Sequence, residues 1–160
     1  MRKTIEEMLA EAAIKDIQMR YCRACDRADF ELLRSCFHPD ATTSYGYFGG
    51  SVDDFVVSAR QQLPHFLLTT HNTGNQNVEV TGDSAWAEHY TVATHRLAAD
   101  EQGPLRDFAT SLRYIDRDWR IAHRALILDW TRTDPVGDGP PDPDVPRAMR
   151  DRSDLSYIVR

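Results

Sequence analysis

The sequence predicts an α+β domain in which three N-terminal helices pack on one face of a curved, mostly antiparallel sheet that encloses a pocket. Two observations carry this. Apolar residues recur at helical spacing as far as residue 62, and from His65 the pattern switches to alternating strands separated by turn pairs. A chain of 160 residues, 41% hydrophobic and 28% charged, also suits one domain able to bury a core.

Thr4 and Glu7 form a capping box, and Ile14, Ile17, Tyr21 and Cys25 follow at helical spacing. Residues 4–25 therefore read as one amphipathic helix, with Asp26 at its end. A short second helix over residues 29–36 turns Phe30, Leu33 and Phe37 inward and stops before Pro39, which cannot continue it. His38-Pro39-Asp40 reads as the helix-to-strand turn. Residues 41–50, rich in Thr, Tyr and Gly, predict a short strand and turn. Ser51 caps a third helix over residues 52–62, with Asp53 and Asp54 in the first turn, where the helix dipole favours them.

Strands are expected at residues 66–72, 76–80, 85–96, 106–115 and 119–130, with Gly82-Asp83 and Arg117-Asp118 as tight turns. In the third of these, Ala85, Ala87, His89, Thr91, Ala93 and His95 share one face. Trp86, Glu88, Tyr90, Val92 and Thr94 share the other. The small-residue face fits a ligand cavity and fits equally a helix packed closely on alanines.

A net charge of −6 with interspersed signs offers no basic face for phosphate, which argues against nucleic acid or an anionic membrane as partner. No apolar run reaches signal-peptide or membrane-span length, so a cytoplasmic location is expected. Cys22, Cys25 and Cys36 are too few and too closely grouped for a secreted disulfide framework and read as free thiols. Cys22-x-x-Cys25 with Cys36-x-His38 has the residue types of a zinc or redox site, yet no strand precedes it, and core packing is the better reading. No nucleotide loop, Rossmann fingerprint or metal set occurs, so cofactor-independent chemistry is expected.

Asp26 and His71 carry the most chemical content. A carboxylate that orients an imidazole makes a general base near neutral pH. On spacing alone, a helix-terminal aspartate and an ordinary loop histidine fit as well.

Four motifs bear on that choice: Cys25-Asp26-Arg-Ala-Asp-Phe-Glu-Leu-Leu-Arg34, His38-Pro-Asp40-Ala41, Thr69-Thr-His71-Asn72 and Asp118-Trp-Arg-Ile-Ala-His123. With them, residues 9–130 resemble the SnoaL-like branch of the NTF2-like superfamily. That cone-shaped α+β fold includes scytalone dehydratase, bile acid 7α-dehydratase and hexachlorocyclohexane dehydrochlorinase. The resemblance implies that Asp26 and His71 are an elimination dyad. It matches Tyr21 to the tyrosine of bile acid 7α-dehydratase, where the dehydrochlorinase has a lysine. Tyr45 and His95 match the pocket tyrosine and second histidine of scytalone dehydratase.

The chain departs from scytalone dehydratase at Cys25, where that enzyme has one of two water-holding tyrosines, and near Ser111, where it has a pocket asparagine. A neutral phenol at position 21 suits a carbonyl or hydroxyl better than a departing chloride. The expected activity is therefore loss of water from a hydrophobic, ring-containing β-hydroxy carbonyl compound, steroid-like or polyketide-like. His71 would be the base, Asp26 its orienting partner, Tyr21 and Tyr45 oxyanion donors, and His95 a second proton donor. No chemistry is expected of His38, His65 or His123, and His89 is a weaker candidate than His95. Five helical steps rotate Tyr21 and Asp26 about 140° apart, so both face one pocket only if the helix loosens or ends between them.

A ketosteroid-isomerase-like or polyketide-cyclase-like proton shuttle is the nearer alternative function. The noncatalytic small subunit of a ring-hydroxylating oxygenase is the other. After a domain over residues 1–131, residues 132–160 form a Pro- and Asp-rich tail. The tail fits a solvated extension or, by resemblance to scytalone dehydratase, whose C-terminal segment closes over the pocket, a lid or subunit clasp docked through Leu155, Tyr157, Ile158 and Val159, with Arg147, Arg150 and Arg152 pairing acidic neighbours. By resemblance, a homotrimer is the expected assembly.

Overall fold

The computed structural model describes residues 3–46, 48–97, 108–115, 118–133 and 144–158, with the backbone alone at 97, 108–115 and 118. Helix α1 (Ile5–Asp26) starts at the expected capping box: Thr4 Oγ1 accepts the Glu7 N–H at 3.1 Å, and Glu7 Oε2 accepts the Thr4 N–H at 2.8 Å. Such a cap contributes about 1 kcal/mol. One stripe of α1, including Ile14, Ile17, Tyr21 and Cys25, is buried.

The helix stops through a Schellman pattern, in which the Asp29 N–H reaches Ala24 O at 2.9 Å and the Ala28 N–H reaches Cys25 O at 3.2 Å. Ala28 takes the left-handed conformation this requires, at φ +50°. The stop leaves the Asp26 carboxylate at a fixed corner of the fold.

Helix α2 (Phe30–Ser35) is capped by Asp29, whose Oδ1 accepts the Leu32 N–H at 3.1 Å. Strand β1 (Phe37–Ser44) follows directly. His38-Pro39-Asp40 thus belongs to the strand and is not the turn the sequence implied. It occupies an irregular stretch between Phe37 and Thr42, where the pairing of β1 with its neighbour shifts register and a proline is tolerated. Strand β2 (Gly49–Ser51) leads into helix α3 (Val52–Gln62), capped by Ser51 Oγ on the Asp54 N–H, and a single 3-10 turn (Leu63–His65) closes the helical part.

Strand β3 (Phe66–Thr81) runs unbroken through what the sequence divides into two strands. Asn75 sits at φ +44°, and the register shifts between Gly74 and Asn77. Asn tolerates this conformation, so Thr-Gly-Asn bends the strand as a bulge without ending it. Gly82 at φ +56° opens the two-residue turn to β4 (Ser84–Leu97), as expected. Strands β5 (Phe108–Ile115) and β6 (Asp118–Ala125) complete the sheet. The expected residues 106 and 107 of β5, and residue 117 of its turn, lie outside the described residues. Strand β6 stops at Ala125, short of Trp130.

The six strands are ordered β2-β1-β6-β5-β4-β3, antiparallel except for the parallel pair β1–β6. The helices cover one face, giving the α+β architecture expected. On β4, Ala87, His89, Thr91 and Ala93 are buried while Trp86, Tyr90 and Val92 are exposed. Both readings of the small-residue face hold along its length: Ala87 packs in the core with α1, and the His95 end opens on a cavity. Among the described residues, no helix is long and apolar enough to cross a membrane.

Of the tail, residues 134–143 with their prolines lie outside the described residues. Residues 144–158, ending in helix α4 (Leu155–Ile158), lie on the C-terminal end of α1 and the start of α2. The attachment is mostly polar. Tyr157 donates its hydroxyl to Asp29 Oδ2 at 2.9 Å beneath the Arg23 guanidinium, Arg27 pairs with Asp154 at 3.3 Å, and Arg152 pairs with Glu31 at 3.0 Å. Of the residues expected to dock, Tyr157 is half-buried, Leu155 and Ile158 are exposed, and Val159 lies outside the described residues. Arg150 meets backbone carbonyls where carboxylates were expected.

Candidate active site

A cavity of about 290 Å³ opens between the helices and the sheet. Helix α3 lines it with Phe55, Ser58, Ala59 and Gln62, the i, i+3, i+4, i+7 face of an amphipathic helix. Tyr21 and Cys25 enter from α1, Tyr45 and Phe48 from the segment between β1 and β2, and Leu63, Phe66 and Leu126 from element ends. His71 on β3 and His95 on β4 supply the sheet side. The lining is mainly apolar with a few polar groups, the usual composition of a small-molecule site.

Asp26 and His71 meet. Asp26 Oδ1 lies 2.6 Å from His71 Nδ1, and Asp26 Oδ2 accepts the His71 backbone N–H at 3.1 Å. A carboxylate only accepts, so the ring proton sits on Nδ1 and Nε2 carries the basic lone pair. Helix α1 is continuous from Tyr21 to Asp26, so the loosening that would bring both to one pocket does not occur. Instead Tyr21 lines the cavity, Asp26 does not, and His71 extends into the cavity from Asp26.

Tyr21 and Tyr45 also meet, with hydroxyl oxygens 2.9 Å apart. Tyr45 stacks on Phe55 at 5.0 Å between ring centroids, and Tyr21 packs edge-on to Phe37 at 5.9 Å. Burial pushes the Tyr21 phenol well above its ordinary range, so it stays a neutral O–H donor. The His95 ring stands edge-on to His71, 5.8 Å between centroids, and leans on Phe66 at 4.7 Å.

His89 is buried away from the cavity. His123 is exposed on β6 with Nδ1 2.8 Å from Thr42 Oγ1, His38 Nδ1 meets Asp40, and His65 lies exposed in the 3-10 turn. Cys22, Cys25 and Cys36 are free and buried. The side chain of Ser111 lies outside the described residues.

Residues 6–125 match the SnoaL-like domain family. The chain belongs to that family. No curated protein matches its sequence. Among solved structures, this SnoaL-like chain is similar to a Novosphingobium aromaticivorans DSM 12444 protein provisionally named scytalone dehydratase (20% identity, 83% of this chain and 97% of that chain covered, TM-score 0.72). It is similar to a Mycobacterium tuberculosis protein of unknown function (24% identity, 81% and 74% covered, TM-score 0.68). It is also similar to a type 2 hexachlorocyclohexane dehydrochlorinase (17% identity, 86% and 97% covered, TM-score 0.74). At these identities the likeness establishes the fold, α+β and NTF2-like.

One buried residue of this SnoaL-like chain, packed behind the cavity-lining Tyr21, escaped the sequence reading. Arg124 is fully buried, with its guanidinium 3.9 Å from the centre of the Tyr21 ring, and it donates to Gln18 Oε1 at 2.9 Å. Its Nη2 lies 3.3 Å from His89 Nε2. Strict alternation from Trp119 and Ile121 would turn His123 inward and Arg124 out. A register shift between Ser111 and Leu112 reverses the order beyond Ile121. No sequence signal marks that bulge.

Proposed function

We infer that this SnoaL-like domain is a cofactor-independent dehydratase, a carbon–oxygen lyase acting on a hydrophobic, ring-containing β-hydroxy carbonyl compound. The observation that carries the reading is the 2.6 Å contact of Asp26 with His71 Nδ1, in a cavity that also holds the Tyr21–Tyr45 hydroxyl pair.

In this mechanism His71 Nε2 removes the proton from the carbon beside the carbonyl. Asp26 holds the ring in the required tautomer and stabilises the imidazolium that forms. As negative charge develops on the carbonyl oxygen, the tyrosine pair donates to it, and the buried Arg124 charge behind Tyr21 strengthens that donor. The enolate then expels the β-hydroxyl. Its proton comes from the His71 imidazolium in a syn elimination, or from His95 on the neighbouring strand, and water leaves. A homotrimer, read by light scattering, is the assembly this reading expects.

The test is a panel of steroidal and bicyclic β-hydroxy ketones incubated with wild type, His71→Ala and Asp26→Asn, followed by absorbance of the conjugated product and by mass. Loss of water by wild type, with a fall of about a hundredfold or more in both variants, is the expected result. A product of unchanged mass would instead assign a ketosteroid-isomerase-like reaction. No turnover at all would count against both.

A further inference from the structure

One guanidinium joins the ends of two helices that both line the cavity. Arg150, in the C-terminal segment, donates from Nη1 to Leu63 O at 2.6 Å and to Phe66 O at 2.7 Å. From Nη2 it donates to Cys25 O at 3.2 Å. Leu63, Phe66 and Cys25 all line the cavity, yet Arg150 itself does not.

The physical basis lies at the helix ends. The last carbonyls of a helix have no intrahelical partner and carry the negative end of its dipole, so a cation there satisfies both. Cys25 belongs to the last turn of α1, and Leu63 is the C-cap of α3. A planar fork reaches two such ends at once, which a single ammonium point does not.

Cys25 precedes Asp26, and its carbonyl also accepts from the Ala28 N–H at 3.2 Å and Thr69 Oγ1 at 3.4 Å. That carbonyl is therefore the junction of α1, β3 and the tail. Burial holds the Arg150 guanidinium below its ordinary range, and the Asp26 carboxylate offsets part of that effect.

We propose that Arg150 is a positioning residue: from outside the cavity it fixes the corner carrying Asp26 against the α3 wall and so holds His71 in its Nδ1–H tautomer. The proposal rests on the dehydratase reading for its effect on rate, and on geometry alone for its effect on His71.

Its test uses full-length wild type, Arg150→Met, Arg150→Lys and Arg152→Met, the last loosening the tail without touching the cavity walls. The His71 tautomer is read from imidazole ¹⁵N shifts at a pH where the ring is neutral. On whichever ketone wild type dehydrates, kcat and KM are measured separately. Arg150→Met is expected to lower the Nδ1–H population and to cut kcat about tenfold or more with KM within about threefold. Arg150→Lys, which keeps the charge without the fork, should fall between, and Arg152→Met should match wild type.

If Arg150→Met lowers only the unfolding midpoint and leaves tautomer and kcat intact, its role is merely structural and the proposal fails. It fails equally if Arg152→Met does as much as Arg150→Met. Should Arg150→Met not fold, Arg150→Lys carries the same readout. A wild type that dehydrates nothing sinks the functional reading, while the tautomer comparison still decides the role of Arg150.

Discussion

Asp26 grips His71 at two points, its Oδ1 2.6 Å from the ring Nδ1 and its Oδ2 3.1 Å from the backbone nitrogen of the same residue. One contact sets the tautomer of the ring and the other fixes the strand position from which the ring projects. Asp26→Asn preserves shape but leaves a single acceptor oxygen, so one of the two contacts is lost or replaced by a donor–donor clash. The expected outcome is a native circular dichroism spectrum with turnover reduced by about two to four powers of ten. Native-like turnover in Asp26→Asn would remove the dyad from the mechanism.

The tyrosine pair gives a second prediction. The Tyr21 and Tyr45 hydroxyls lie 2.9 Å apart, so each orients the other and removing either disturbs both. Tyr21→Phe and Tyr45→Phe should each lower kcat by about 10- to 100-fold. The double variant should be little worse than the more damaged single one, because groups acting as a unit are not additive. A full kinetic double-mutant cycle measures this. Burial raises the Tyr21 phenol above its ordinary value of about 10, so no basic limb below that pH should come from its phenolate.

What the sequence could and could not express follows from the range of each interaction. Capping at Thr4 and Ser51, the inward face of β4 and the turn at Gly82 depend on neighbours in sequence, and each stands where the residues imply. The meeting of Asp26 with His71 was legible only through family resemblance, since the two come from separate elements. The contacts of Arg124 and Arg150 with the cavity-lining residues were not legible. The first is turned inward by a bulge set across the β5–β6 pairing, and the second acts on carbonyls, which carry no side-chain signature. Asn75 shows the opposite error, a local turn signal that the long β3–β4 ladder absorbs as a bulge.

The three cysteines supply a third prediction. Cys22, Cys25 and Cys36 are each at most 5% exposed, and burial raises all three thiols, Cys36 to about 11. Since the thiolate is the reactive form, iodoacetamide at pH 8 should label none of them in the native protein and all three in denaturant. Mass spectrometry after timed quenching reads the count. Rapid native labelling of Cys25 would mean that the cavity wall opens.

The corner that carries Asp26 is built on Ala28 in the left-handed conformation, at φ +50°. An L-residue there costs roughly 1 kcal/mol or more, which glycine avoids while losing part of the gain to unfolded-state entropy. Ala28→Gly should therefore stabilise by up to about 0.5–1 kcal/mol, and Ala28→Val, which adds branching at the same φ, should destabilise by at least about 1 kcal/mol. Urea denaturation of both variants tests the sign. Equal stabilities for the two would show that the chain relaxes out of the left-handed region.

His89 makes stability depend on pH. It is buried beside Arg124, and burial first, then the Arg124 charge, lowers its imidazole to about 3. Its Nε2 accepts from Arg124, so Nδ1 carries the proton, and that N–H is buried without a partner among the described residues. An unfolded histidine titrates near 6.5, so between that pH and about 3 the unfolded state binds up to one proton that the folded state refuses. Stability must then fall as pH drops, with a slope approaching 1.4 kcal/mol per unit, or about 2 kcal/mol between pH 7 and pH 5. Urea unfolding of wild type and His89→Gln at these two pH values isolates the contribution. The difference between them should shrink by about that amount on acidification, and a difference independent of pH would mean that His89 takes up its proton in the folded protein.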